Sequence, residues 1–232
     1  MSITVVGLDA DDTLWHSESH FAVTEERFRA LLEPWLEPGE VADRLLRRER
    51  DNLQVFGYGA KGFTLSMIET ALDVSGGELP AAAVRQIIDW GKELSRHPVE
   101  LLDHVADTID ALRAADYRLL LITKGDLFHQ ESKIAESGLA DQFERVEILS
   151  EKSPATYQRV LSAASVSVEE FVMVGNSVRS DVLPVIEIGA RAVHVPYGIT
   201  WAHEADHDAD EEGRGWPRID RLDQLLPLLP EL

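Results

Sequence analysis

Asp9 and Asp11 are two carboxylates, two residues apart, in the segment Asp9-Ala10-Asp11-Asp12-Thr13 that directly follows an apolar run at residues 3–8. A run of that length and composition reads as a buried strand. In open parallel α/β sheets the ligand crevice lies at the carboxyl ends of the strands, so both carboxylates would project from a loop into it. There they are suited to nucleophilic and acid/base work. The same five residues also fit a plainer Asp-rich turn in which Asp12 or Thr13 caps the next segment.

Three other apolar runs end in polar residues that match such a crevice. Residues 118–122 lead into Thr123-Lys124-Gly125-Asp126, where a hydroxyl and the N–H groups of a glycine-containing turn suit a phosphate oxygen; Thr123 alone would read as a helix cap. Residues 145–149 lead into Ser150-Glu151-Lys152-Ser153-Pro154, in which Ser153 and Pro154 mark a helix start. A lysine on that side of a helix is mildly out of place for the dipole, which hints at a ligand for Lys152. Residues 171–174 lead into Gly175-Asn176-Ser177-Val178-Arg179-Ser180-Asp181, supplying an amide and a further carboxylate.

Gathered at one edge, Asp9, Asp11 and Asp181 would repel one another unless a divalent cation sat between them. Oxygen donors without cysteine select a hard ion, and Mg²⁺ is the default because it accepts few protein ligands and keeps waters for phosphate. The cation and Lys152 would then neutralise a phosphoryl group, one carboxylate attacking phosphorus and another, protonated, donating to the leaving oxygen.

The composition is ordinary for a soluble globular protein. The 232 residues are 44% apolar and 28% charged, enough for one good-sized core with or without a smaller inserted domain. Forty-two acidic against 22 basic residues give a formal charge of -20, which disfavours nucleic acid and anionic membrane as partners. It also requires local cations if the substrate is an anion. With no cysteine there are no disulfides and no thiol chemistry. The N-terminus lacks a basic region before its short apolar run, and no run approaches the length of a membrane span, so a cytoplasmic protein is expected.

The elements that must position these residues form two patterns. From 16 to 98 the periodicity is helical: Phe28, Leu31, Leu32 and Trp35 share a face, Pro38-Gly39 breaks the chain before a helix at 41–53, and further helices are expected at 63–72 and 81–94. The three glycines among residues 54–62 predict a loop between helices, and four such helices can pack as a small bundle. After Pro98, helices at 105–114, 128–137, 155–164 and 178–188 alternate with strands at 118–122, 145–149, 171–174 and 191–195, the signature of a parallel sheet with crossover helices. Pro184 sits inside the fourth of those helices, where it demands a kink or a late start. Residues 203–214, with His203 and His207 among many acids, read as a solvated loop in preference to a metal site, and residues 220–229 as a closing helix limited by Pro227.

With these motifs the chain resembles the haloacid dehalogenase-like hydrolase superfamily, in its phosphatase branch with a helical cap of the first type, and the resemblance covers nearly the whole sequence. Asp9-Ala10-Asp11-Asp12-Thr13 is similar to the family's first motif, Thr123 to its second, Lys152 to its third, and residues 176–181 stand where the acidic fourth belongs. The resemblance implies an α/β fold: a Rossmann-like parallel sheet core, residues 1–15 and 99–232, with an all-helical cap domain, residues 16–98, inserted after the first strand. It implies Asp9 as the nucleophile forming an aspartyl-phosphate, and Asp11 as acid and then base. Thr123, Lys124 and Lys152 would hold the phosphoryl oxygens. Mg²⁺ would sit on Asp9, the main-chain carbonyl of Asp11, Asn176 and Asp181. The family's fourth motif normally begins Gly-Asp, so Asn176 replaces one expected carboxylate with a neutral amide.

The expected activity is Mg²⁺-dependent hydrolysis of a small phosphorylated metabolite. Sugar-phosphate mutases share the fold and the intermediate; haloacid dehalogenases share the fold but lack the second aspartate, so Asp11 argues against them. A binding module without turnover is the alternative that Asn176 raises. His16, Tyr58 and Lys61 are the candidates for reading the substrate, His16 because it comes just after the nucleophile loop and the other two because their glycine-rich loop would reach down on closure.

Overall fold

The computed structural model describes residues 2–199, 201 and 215–232, so the acidic stretch at 203–214 lies outside the described residues. Two compact units are formed, one from Met1–Ser17 with Val99–Leu232 and the other from Glu18–Pro98.

The first unit is a five-stranded parallel sheet. Its strands are β1 (Val5–Leu8), β2 (Arg118–Lys124), β3 (Arg145–Leu149), β4 (Phe171–Gly175) and β5 (Arg191–His194), in the order β3-β2-β1-β4-β5. The chain therefore builds outward from β1 to β3 and then returns to the other side of β1. A ligand crevice is expected at the carboxyl end of the strand where the order reverses, and that strand is β1, which delivers Asp9.

Alternation along the central strands fills both faces. Val6 and Leu8 of β1, Leu119 and Leu121 of β2 and Val172 and Val174 of β4 pack with Val105, Ile109 and Leu112 of helix α5 (Val105–Ala114). Val5, Leu120, Ile122, Phe171 and Met173 face the other way, onto Tyr157, Val160 and Leu161 of α7 (Pro154–Ala163). Between these in sequence lies α6 (Leu127–Glu136), whose Ile134 joins the first face.

Two sequence expectations change here. The helix expected at 178–188 is divided into a wide π-helical turn, Val178–Val182, and a short α8, Leu183–Glu187. Pro184 falls in the first turn of α8, where its missing N–H needs no partner. The closing helix expected at 220–229 is three short helical turns, Leu222–Gln224, Leu225–Leu228 and Leu229–Glu231, since Pro227 and Pro230 prevent a longer one.

The second unit is all helical: α1 (Glu18–Leu32), α2 (Pro38–Phe56), α3 (Ala60–Val74) and α4 (Ala81–Ser95). Phe28, Leu32, Val41, Leu45, Phe63, Met67, Ile87 and Trp90 form its core. Pro38 opens α2 instead of preceding it, and Trp35, expected on the apolar face of α1, lies beyond that helix and is exposed. The loop expected at 54–62 shrinks to Gly57–Gly59, because α2 runs on to Phe56 and α3 begins at Ala60. Among the described residues no helix is long and apolar enough to cross a membrane.

Candidate active site

The loop after β1 is fixed by its own backbone. Thr13, Leu14 and Trp15 N–H groups all point at Ala10 O, at 3.3, 2.8 and 3.4 Å, while Asp12 N–H donates to Trp15 O at 2.7 Å. Asp12 closes this turn at φ 61°, a left-handed conformation that Asp tolerates better than most residues, and its Oδ1 accepts from Ser17 N–H at 2.9 Å. Leu14 and Trp15 are fully buried beneath it. Anchored in this way, Asp9 and Asp11 leave the sheet in fixed directions.

Asp9 is buried and faces Lys152, whose Nζ donates to Asp9 Oδ1 at 2.5 Å and to Asp181 Oδ1 at 2.6 Å. Lys152 itself is buried just before the N-cap of α7, where Ser153, Thr156 and Pro154 form a complete capping arrangement. Asp181 Oδ2 accepts from Ser177 N–H at 3.0 Å. The carboxylate lies so close to β4 that a Cβ on Gly175 would stand 2.2 Å from Asp181 Oδ2, so only glycine fits there.

Two carboxylates thus share one ammonium in a buried site. Burial pushes the Asp9 carboxyl up, to about 7, with Asp181 and Asp11 adding to the rise and Lys152 opposing it. Burial works against the charge on Lys152, but Asp181 and Asp9 outweigh it and hold the ammonium protonated above its usual range.

Asp11 is placed differently. Burial would raise its pKa, yet Lys133 and the hydrogen bonds from Lys133, Gln130 and Trp15 outweigh that and lower it. Lys133 Nζ reaches Oδ1 at 2.6 Å and Oδ2 at 2.7 Å, Trp15 Nε1 donates to Oδ1 at 2.6 Å, and Gln130 Nε2 donates to Oδ2 at 3.0 Å.

Asn176 decides whether a cation fits. Its side chain lies 3.2 Å from the main-chain oxygen of Asp11 and 3.2 Å from Asp9 Oδ2. With the amide turned one way its nitrogen donates to both; turned the other way, three oxygens face one another with no proton between them. Oxygens around a small hard cation at about 2.1 Å stand roughly 3 Å apart, so a carboxylate, a carbonyl and an amide oxygen here form a set that suits Mg²⁺. Asn176 is held from behind by its N–H donating to Thr13 Oγ1 at 3.0 Å and by a 2.9 Å hydrogen bond between its carbonyl oxygen and His194 Nε2.

Thr123 is buried on the end of β2, with its Oγ1 2.9 Å from Gln130 Nε2. Lys124 ends the same strand and donates to Ser180 Oγ at 2.7 Å. His16 belongs to the sheet unit and shares a 2.6 Å hydrogen bond with Tyr197 through Nδ1. Half-buried Tyr58 and exposed Lys61 belong to the helical unit, Lys61 in the first turn of α3 and not in a loop. Asp9, Asp11, Lys152, Asn176, Asp181, Thr123 and Lys124 all lie at the carboxyl edge of the sheet. Gln130, Lys133, Trp15 and His194 join them without standing out in the sequence; the only signal there is the pair of polar residues three apart on α6.

A family model described as haloacid dehalogenase-like hydrolase matches residues 3–189. The chain belongs to that family. A haloacid dehalogenase-like hydrolase from Xanthomonas campestris is 43% identical to it over 99% of this chain and 93% of that one, with a TM-score of 0.86. A family member from Bacillus subtilis, solved with magnesium bound, has the same fold at 17% identity, covering 99% of both chains with a TM-score of 0.68. A glyceraldehyde 3-phosphate phosphatase from Pyrococcus abyssi is 33% identical over 92 residues, a match that spans 38% of this chain and 39% of that protein. The protein is thus a hydrolase of the haloacid dehalogenase-like family.

Proposed function

We propose that this hydrolase is a Mg²⁺-dependent phosphomonoesterase that acts through an aspartyl-phosphate on a small phosphorylated metabolite. The observation that carries this reading is the buried Asp9 at the reversal point of the sheet, with an ammonium on Oδ1 and the Asn176 side chain 3.2 Å from both Oδ2 and the main-chain oxygen of Asp11. Asp9 Oδ2, Asp11 O and Asn176 Oδ1 would hold the cation; Asp181, expected from the sequence among its ligands, instead has Oδ1 on Lys152 and Oδ2 on Ser177 N–H and anchors Lys152. When bound, the cation supplies charge to a phosphoryl group and favours the ionised form of Asp9.

The chain's own residues account for the rest. Asp9 attacks phosphorus, forming a carboxyl–phosphate bond as the ester P–O bond breaks, and the leaving oxygen takes a proton from Asp11, which has to enter this step protonated although Lys133 lowers its pKa in the metal-free protein. Water then attacks the same phosphorus and gives a proton to Asp11 as the Asp9–P bond breaks, releasing phosphate and restoring both carboxyls. Lys152, Thr123 and Lys124 bind the phosphoryl oxygens, with Lys152 supplying the buried positive charge that the overall -20 lacks. His16, Tyr58 and Lys61 are retained as candidates for contact with the rest of the substrate.

The phosphatase from Pyrococcus abyssi makes three-carbon sugar phosphates the first compounds to try. Asp11 separates this reading from a haloacid dehalogenase, which needs no proton donor at that position. The test is phosphate release from an aryl phosphate and from a panel of phosphorylated metabolites, with Mg²⁺ and with chelator. Release that survives chelation, or that survives Asp9→Asn, overturns the mechanism; transfer of the phosphoryl group within a hexose phosphate without release would make it a mutase.

A further inference from the structure

Gln130 takes part in none of these steps, yet it is 2% exposed at the centre of the site. Its Nε2 stands 2.9 Å from Thr123 Oγ1, 2.9 Å from the carbonyl oxygen of Lys124 and 3.0 Å from Asp11 Oδ2. Its Oε1 is buried with no hydrogen-bond partner among the described residues. The side chain also packs on Gly125, where φ is +144° and an added Cβ would come within 3.2 Å of Gln130 Cγ. One turn further along α6, Lys133 binds both oxygens of Asp11. A buried amide that leaves its own oxygen unsatisfied is costly, and here its nitrogen touches the acid/base loop and the phosphate-holding strand end together.

We propose that Gln130 is a positioning residue: its amide ties the Asp11 carboxylate to Thr123 and the end of β2, so that the proton donor and the phosphoryl anchor keep one register. It acts through Asp11. The proposal rests on the reading of Asp11 as proton donor to the leaving group. Loss of Gln130 should weaken proton delivery more than phosphoryl binding.

The experiment compares kcat/KM for an alkyl phosphate and for 4-nitrophenyl phosphate in wild type, Gln130→Met and Gln130→Asn. This ratio covers steps up to departure of the alcohol, and an alkoxide needs a proton where a nitrophenolate does not. Gln130→Met keeps the volume and removes the amide, while Gln130→Asn keeps an amide too short to reach Asp11 and Thr123 together. The expected result for both is a fall of ~10-fold or more on the alkyl ester against less than ~3-fold on the aryl ester. Equal falls on the two esters, or none, would overturn the proposal. Should Gln130→Met melt below the assay temperature, Gln130→Asn decides alone. Asp11→Asn, run alongside, must show the same selective loss; if it does not, the reading of Asp11 fails, and if it does while the Gln130 variants lose both esters equally, only the role of Gln130 fails.

Discussion

Asp9 and Asp11 are two residues apart in the chain and sit in opposite electrostatic surroundings. Burial raises Asp9 to about 7 from an ordinary value of 3.8, so the folded protein takes up its proton more readily than the unfolded chain. Stability present below pH 4 is therefore lost progressively as the pH rises to about 7. Asp9→Asn removes this pH dependence, and in metal-free protein its melting temperature should rise relative to wild type between pH 4 and 7. Asp11 has the reverse sign: Lys133 overcomes burial and lowers it, so its contribution is present above its unfolded value of 3.8 and disappears as the pH falls through the lower folded value. Asp11→Asn should thus destabilise at pH 7, with the gap to wild type closing in acid; parallel melting curves across pH for either variant would contradict the assignment. The motif residues are legible in sequence because each comes directly after an apolar run. Gln130 and Lys133 are not, since their role depends on α6 lying beside the β1 loop, which no local pattern announces.

Among the elements, the strands are the most legible, since alternation of Val, Ile and Leu between breakers leaves few other readings; residues 145–149 are strand in both sequence and structure. Helix ends are less so. Lys61 passes for a loop residue because glycines stand on both sides of it, but Gly62 is tolerated in the first turn of α3. The turn after β4 has the sequence of a plain helix, and what its wider winding achieves is to wrap Asp181 back over Gly175. Gly175→Ala should displace that carboxylate and leave Lys152 without one of its two partners. A stability loss of about 1–3 kcal/mol from overpacking is expected, measured by urea unfolding, together with loss of activity. A variant that keeps both would mean that the Asp181 contact is dispensable.

For the whole molecule, the insertion of one unit into the other is written into the backbone of the sheet unit. The outgoing and returning segments run side by side: Leu102 N–H donates to Leu14 O at 2.9 Å and His16 N–H to Glu100 O at 3.0 Å. Residues 18–98 should therefore be replaceable by a short flexible linker, leaving a sheet unit that melts cooperatively. Failure of that shortened chain to fold would show that the sheet unit depends on the helical one. The formal charge of -20 opposes an anionic substrate at long range, so moderate salt should lower KM for a phosphate ester through screening. Both expectations leave the chemistry with Asp9, and its intermediate can be trapped directly. Protein turning over an aryl phosphate with Mg²⁺ is quenched in acid, reduced with borohydride and mapped by mass spectrometry, since reduction of an acyl phosphate converts aspartate to homoserine. Homoserine is expected at position 9, and none when chelator replaces Mg²⁺; homoserine at another position, or unmodified Asp9 under conditions of full turnover, would contradict the assignment of Asp9 as nucleophile.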